Sequence, residues 1–456
     1  MGHKPQGVGS HSGKLYSMKV ALISPRGPLY RHRSGIFGKS LRYAPLTLTT
    51  LAALIPEELE VQLELYDEGI EEIPPQLEAD LIGISAITGT SSRSYQLAGE
   101  FRSRGIPVVL GGVHPTLCPE EAALHADAIV TGYAEESWPQ LLRDFASGQM
   151  AARYSQDPDL NLGGRPRPRR DLLDLSKYFT PNTVEATRGC IHHCRFCVVP
   201  SAWGRPRQKP IREVVGDIES MNAPSVIFLD LNLIADEEYA KNLFRELIPL
   251  KISWAGLATT KIAWDDELLR LAAASGCRGL LVGFETVSLE SLAESAKKFN
   301  THQSYESVIQ KLHDAGIAIM GTFVFGFDAD NRDIFARVAE FAVRTKIDLP
   351  RYSVLTPFPG TPLFRRLESE GRILSRDWEL YDGQHVVFRP TQMTPQELQQ
   401  GVEWAWKETY SWANIARRLA GSRRMLLKSM AANLGYRFYG YNLDRFYNCG
   451  AEIIAA

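Results

Sequence analysis

Short unbroken apolar runs recur from Lys19 to about Ser147, at Val20–Ile23, Val61–Tyr66, Leu81–Ile84, Val108–Leu110 and Ala128–Val130, with segments of helical period between them. Such runs predict parallel strands buried on both faces, the doubly wound arrangement. Between about Gly148 and Pro181 the periodicity weakens and Pro, Gly, Asp and Arg dominate, as in Leu162 to Arg170, which predicts a connector. A second alternating series follows, with strands near Thr183–Thr187, Ser225–Asp230, Ile252–Leu257, Arg278–Val282, Ile317–Phe325 and Arg351–Thr356. Helical patterns separate them, notably Ile211–Met221, Glu237–Pro249, Asp265–Ser275 and Ser304–Ala315. Strand–helix units at this spacing predict a partial (β/α)6 barrel of the TIM type, whose chemistry collects at the C-terminal ends of its strands. From about Asp377 the strand signal fades into helices rich in aromatic and basic residues. The expected organisation is a tail (1–17), a doubly wound domain (18–150), a connector (151–180), a barrel (181–375) and a mainly helical C-terminal cap (376–456).

A chain of 456 residues is too long for one ordinary core, and 44% hydrophobic with 23% charged residues is a normal compact composition. Lys plus Arg (51) nearly balance Asp plus Glu (53), so no global field draws a phosphate backbone and nucleic acid is not an expected partner. No run approaches the ~18 apolar residues of a membrane span, and Met1 to Ser17 lacks a signal-peptide core. The expected location is the cytoplasm.

Of the cysteines, Cys190, Cys194 and Cys197 fall together in Arg188-Gly189-Cys190-Ile191-His192-His193-Cys194-Arg195-Phe196-Cys197, directly after a predicted strand. That placement suits metal ligation in a reducing compartment better than a disulfide framework. Three thiolates can wrap one cluster of four irons and leave one iron open to an external chelate. Zinc stays open as an alternative, because His192 or His193 supplies a fourth ligand type within the loop. Cys118, Cys277 and Cys449 are scattered and read as small buried residues.

With Phe196 in the aromatic place, the loop resembles the radical SAM superfamily (SAM, S-adenosylmethionine), whose signature is Cys-x3-Cys-x-aromatic-Cys on the first strand-loop of a partial barrel. The resemblance implies a 4Fe-4S cluster on Cys190, Cys194 and Cys197, SAM chelated to the open iron, and its cleavage to methionine and a 5'-deoxyadenosyl radical. It also implies an external one-electron donor of the flavodoxin or ferredoxin type. Later segments fit the same family pattern. Val226 to Asn232 is similar to its second-strand Asp-x-Asn motif, Gly283-Phe284-Glu285-Thr286 to its fourth-strand segment, and Gly321 to Gly326 with Asp328 to its fifth strand. Thr356 to Pro362 is similar to the Pro-Gly-Thr-Pro turn after the sixth. Phe196, Asp230, Asn232, Glu285 and Gly326 are thereby expected near SAM. Taken singly, Asp230 also reads as a turn residue and Glu285 as a solvated helix cap.

A doubly wound domain binds ligands beyond the C-terminal ends of its strands. This one has no Gly-x-Gly-x-x-Gly, which disfavours a dinucleotide. Ser85-x-Ile87, Gly111-Gly112-x-His114-Pro115 and Ala44-Pro45-Leu46 instead resemble the Rossmann-like cobalamin-binding domain of cobalamin-dependent radical SAM enzymes, and the resemblance spans nearly the whole chain. It implies cobalamin contacts at Ser85, Ile87, Gly111, Gly112, His114 and Gly132, where small residues let a flat corrin approach the backbone. The same residues also make ordinary tight turns. No Asp-x-His-x-x-Gly occurs, so no histidine is offered as lower cobalt ligand, and His114 reads as a loop or tail-contacting residue.

The implied activity is C-methylation of an unactivated carbon: one SAM methylates cob(I)alamin, a second yields the radical, and the substrate radical takes the methyl group. A cyclase or rearrangement enzyme with both cofactors stays open, as does an iron-sulfur and cobalamin sensor or electron-transfer protein. The substrate is expected to be a small or lipid-like molecule. In the cap, Trp404, Trp406, Tyr410 and Trp412 stand beside Arg417, Arg418, Arg423, Arg424 and Lys428, followed by Tyr436, Phe438, Tyr439 and Tyr441. The stripe predicts a helix packed on the barrel with a solvated basic face. Peripheral contact with a lipid or anionic surface is the open alternative.

Overall fold

The computed structural model describes residues 17–27, 40–156, 159–297, 300, 304–420 and 426–443. Its first sheet holds β1 (Met18–Ser24), β2 (Val61–Asp67), β3 (Leu81–Ser85), β4 (Val108–Gly111), β5 (Ala128–Thr131) and β6 (Arg153–Ser155), all parallel, in the order β2-β1-β3-β4-β5-β6. Alternate residues of β1 serve opposite layers. Val20 and Leu22 join Trp138, Leu141 and Leu142 on one face, while Ala21 and Ile23 join Leu97 and Phe101 on the other. That division is why the strands read as unbroken apolar runs. The order reverses at β1, so a ligand crevice opens between the C-terminal ends of β1 and β3.

The second sheet holds β7 (Thr183–Val184), β8 (Ser225–Phe228), β9 (Ser253–Ala258), β10 (Cys277–Glu285), β11 (Ala318–Phe325) and β12 (Arg351–Val354), parallel and in chain order. No pairing joins β7 to β12 among the described residues, so this is an open, partial barrel. Its core is dominated by Phe228, Trp254, Phe284, Phe323 and Tyr352. Helices cover the outside where the periodicity predicts them, at Ile211–Met221, Glu237–Leu247, Asp266–Ala274 and Tyr305–Asp314. Asp265 and Ser304, which the pattern placed inside helices, are N-caps, their side chains accepting from Leu268 and Ser307 N–H groups.

Two differences from the sequence expectation have physical causes. Residues predicted as connector form β6 and a short strand, Tyr178–Thr180, that pairs in parallel with Ser40–Tyr43. Both are too short and too polar for a periodic signal. The Tyr178 hydroxyl donates 2.8 Å to Asp67, a carboxylate with no exposure at the end of β2, and so ties the first domain to the entry of the barrel.

The cap consists of Pro395–Thr409, Trp412–Leu419 and Leu426–Gly440, with Trp406 and Tyr410 stacked beside Tyr436 in the barrel's core cluster. The expected basic face is not solvated throughout. Arg418 is 1% exposed, donates to the carbonyls of Ile347, Asp348 and Thr409, and lies 4.8 Å from the centre of the Tyr410 ring. Helix ends carry unsatisfied carbonyls, and a guanidinium has the donors to gather several of them. Arg423, Arg424 and Cys449 lie outside the described residues; Cys277 is buried and Cys118 half-buried. No described helix is long and apolar enough to cross a membrane.

Tyr178→Phe removes only the hydroxyl that reaches buried Asp67. It is expected to cost about 1–3 kcal/mol, measured as a lowered midpoint in chemical denaturation.

Candidate functional site

After β7 the chain leaves the sheet abruptly because Asp230 takes its backbone donors. This carboxylate, 1% exposed at the end of β8, accepts from the N–H groups of Ala186 and Thr187. Thr187–Arg188 then pairs antiparallel with Arg207–Gln208, and the cysteine loop starts at Gly189. Gly189 has φ +80°, and a Cβ there would sit 2.6 Å from the Arg205 carbonyl oxygen, so only glycine fits. The loop is pinned at its far side, where Arg195 N–H donates 3.3 Å to Ser295 and Leu363 N–H donates 3.0 Å to the Arg195 carbonyl.

Cys190, Cys194 and Cys197 are half-buried free thiols. Cys190 Sγ lies 3.5 Å from the His192 N–H and 3.8 Å from Asn232 Nδ2, donors of the kind that stabilise cluster thiolates. Burial pushes the Cys194 thiol up to about 12 and raises Cys197, while Lys297 works in the opposite sense. A bound metal reverses that balance by deprotonating the thiols. Three thiolates on one loop, with backbone and amide donors beside Cys190, fit a cluster that leaves one iron open to an external chelate.

Three buried polar atoms around this mouth have no hydrogen-bond partner in the protein: Thr187 Oγ1, Asn232 Oδ1 and Thr259 Oγ1, following β7, β8 and β9. Buried polar groups are almost always paired, so three orphans at adjacent strand ends mark a place for a polar ligand. Asn232 is thus turned into the site, whereas Asp230 is engaged in shaping the loop. Burial, with Glu185 nearby, pushes Asp230 up to about 7.

Glu285 is not a solvated cap. It is 8% exposed with φ +66° at a bulge where β10 slips against β11, and it pairs with Lys297, whose Nζ also donates 2.8 Å to the Gly283 carbonyl. A non-glycine residue held in the left-handed region at a bulge is strain of the kind that aims a side chain. Phe196 stands edge-on to Phe327 at 6.1 Å. Gly326 donates its N–H to Asp330 at 3.0 Å and is packed under Leu398 and Phe388. Lys297 and Thr259 escaped sequence reasoning because each stands in irregular chain without a diagnostic spacing, and Thr187 because it read only as the end of a strand.

On the first domain, Ala86 N–H donates 2.8 Å to Gly111 and His114 N–H donates 3.1 Å to Ala86, which draws the loops after β3 and β4 together. Gly112 has φ +99°, and a Cβ would meet the Ala86 oxygen at 2.7 Å. Half-buried Ser85 and exposed Ile87 border the crevice, and Gly132 N–H donates 3.0 Å to Thr116 Oγ1. The His114 side chain departs from the expectation of a ligand contact. It has no exposure; Nε2 lies 3.0 Å from the Tyr95 hydroxyl and 3.3 Å from Glu121, and Nδ1 3.4 Å from Thr88 Oγ1. Burial lowers its pKa, so the imidazole is a neutral member of the loop's own packing. His114, Cys118 and Glu121 do lie within 4.8 Å of one another, but Glu121 already accepts from Tyr95 and from Trp378 Nε1 at 2.9 Å, a hydrogen-bond cluster joining the cap to the first domain.

The C-terminal ends of the two sheets meet. The Tyr133 ring, after β5, stacks on Trp203 with centroids 5.2 Å apart, and its hydroxyl donates 2.8 Å to the Trp203 carbonyl. Arg188, beside the cysteine loop, pairs with Glu135 of the first domain and Glu185 of the second, its guanidinium 5.3 Å from the Tyr133 ring centre.

Residues 184–342 match the family model described as radical SAM superfamily, and residues 42–142 that of the B12 binding domain. The chain is 30% identical over 394 residues to bacteriochlorophyllide d C-12(1)-methyltransferase of Chlorobaculum tepidum, covering 83% of this chain and 85% of the relative. It is 29% identical over 405 residues to bacteriochlorophyllide d C-8(2)-methyltransferase of the same organism, covering 84% and 89%. The solved structure of the radical SAM methyltransferase TsrM from Kitasatospora setae, with cobalamin and a [4Fe-4S] cluster bound, superposes with a TM-score of 0.64 at 18% identity over 85% of this chain and 82% of that one.

Gly189→Ala is expected to displace the loop and to lower the iron retained per chain on anaerobic reconstitution. Asp230 titrates above its ordinary 3.8 in the folded protein, so its contribution to stability is full below about pH 4 and lost as pH rises through about 7. Asp230→Asn keeps an acceptor without the charge. Relative to the parent, its stability should rise by on the order of 3 kcal/mol across that window, seen in denaturation curves of the two proteins side by side.

Proposed function

The chain belongs to the cobalamin-dependent radical SAM enzymes, and we propose that within this family it transfers a methyl group to an unactivated carbon of a large, mainly apolar molecule. The observation that carries the reading is the meeting of two ligand crevices. The segments flanking the cysteine loop pack on the loop after β5 of the first sheet, an arrangement in which groups held by the two domains would face a common substrate. Ile87 after β3, and Ile191 and Leu231 at the barrel mouth, are exposed apolar side chains that suit a mainly apolar substrate. Bacteriochlorophyllide d, named for two relatives, makes a tetrapyrrole the first substrate to try.

Each residue's part follows from its surroundings. Cys190, Cys194 and Cys197 hold the cluster, and Asp230 with Gly189 sets the turn that presents them. Asn232, Thr187 and Thr259 offer unused hydrogen-bonding atoms to SAM, and the Glu285–Lys297 pair presents both charges to its amino acid end. Ser85, Gly111 and Gly112 keep the first domain's loops flat enough for a corrin face. When bound, the cluster with SAM supplies hydrogen abstraction and cobalamin supplies the methyl group. A flavodoxin- or ferredoxin-type protein completes the reading as electron donor.

The test is anaerobic turnover with methyl-labelled SAM and a tetrapyrrole substrate. The expected product carries one labelled methyl group, with 5'-deoxyadenosine formed alongside. Cys190→Ala, Cys194→Ala and Cys197→Ala together should abolish both products and the bound iron. Unlabelled cyclised product would replace methylation with cyclisation, and no 5'-deoxyadenosine on reduction with SAM would overturn an enzymatic reading.

A further inference from the structure

The last described helix, Leu426–Gly440, is apolar on two sides. One side is spent on the cap: Ser429, Asn433 and Gly440 are buried, and Tyr436 and Tyr439 lie 5.9 and 5.0 Å from the Trp406 ring. The opposite side faces solvent. Leu427 is 77% exposed and Met430 and Leu434 each 43%, and Phe438 and Tyr441 continue the line at 53% and 44%. At 100° per residue these positions fall within an arc of about 80°, a stripe roughly 20 Å long. Contiguous exposed apolar surface of this kind marks an interaction site.

The charges of the last two described helices have one sign: besides buried Arg418 they are Arg417, Lys428 and Arg437, with no Asp or Glu between Trp412 and Leu443. Arg417 and Lys428 are exposed, and Arg437 is held between Trp412 and Tyr441, 4.5 and 4.2 Å from the ring centres. Trp412 itself is 62% exposed. An apolar stripe edged by cations and by amphipathic Trp and Tyr rings is complementary to the headgroup boundary of an acidic bilayer, where apolar side chains enter the acyl region and basic ones reach the phosphates. We propose that the helix Leu426–Gly440 docks the enzyme on an anionic lipid membrane, lying in its surface with Leu427, Met430 and Leu434 inserted. The proposal is independent of the methyl-transfer reading.

The experiment is co-sedimentation of the full-length enzyme, loaded anaerobically with cluster and cobalamin, with vesicles of phosphatidylcholine alone or mixed with phosphatidylglycerol. Binding is expected to the mixed vesicles, to weaken as salt screens the charges, and to fall by about tenfold or more in Leu427→Glu and in Leu434→Glu. Both side chains are exposed, so thermal midpoint and monomer size should stay as in the parent. Vesicle binding unchanged in both variants would overturn the proposal. So would a lack of binding accompanied by a dimer that Leu434→Glu dissociates, which assigns the face to a second copy. Binding that arises only after residues 444–456 are removed would assign it to the chain's own end, and overturn the proposal as well.

Discussion

A single buried carboxylate organises the catalytic end of the barrel. Asp230 accepts two consecutive backbone donors from the residues after β7, and those donors would otherwise have extended a parallel ladder. Withdrawing them ends the strand at Val184 and turns the chain outward, so that the metal-binding loop begins above the strand ends and not beside them. The arrangement keeps a carboxylate in a low-dielectric place next to another acid, Glu185, at a cost in stability that rises with pH. The loop's geometry is thus maintained against the electrostatics of its support.

The rest of the site is built around the space so created. Arg188 answers the charge of Glu185 and reaches across to Glu135, which makes one guanidinium common to both domains. The aromatic stack of Tyr133 on Trp203 closes the adjoining edge. Between these supports the unpaired oxygens of Thr187, Asn232 and Thr259 line three successive strand ends, and the Glu285–Lys297 pair occupies the fourth. The polarity of the mouth is therefore graded along the sheet, neutral acceptors and donors first and a charged pair last.

Much of this was legible in the chain itself. Strands buried on both faces leave continuous apolar runs, and all ten of the longer predicted strands that make up the two sheets, apart from the truncated β7, are recovered with ends shifted by at most three residues. Three cysteines in eight residues leave few chemical alternatives, and the match of residues 184–342 to the radical SAM superfamily favours a cluster over zinc. What stayed illegible depends on distant partners. Arg418 is buried because carbonyls about seventy positions earlier in the chain need donors, and no local pattern reports that. His114 sits in a turn whose sequence suits a ligand contact, yet Tyr95, Glu121 and Thr88 surround it. β6 alternates exposed and half-buried residues over three positions, too few to register as a period.

The pairing of Ser40–Tyr43 with Tyr178–Thr180 changes what counts as a module. A strand contributed from within the first domain lies beside the strand that leads into the barrel, and the hydroxyl of Tyr178 is anchored on a carboxylate of the first sheet. The boundary between the two halves is therefore a surface in space with no matching cut in the chain. A chimera that exchanged cobalamin domains between relatives at a single junction would separate these partners. The exchangeable unit runs from the first sheet through Thr180, and recombination that respects it keeps the partners of this pairing together.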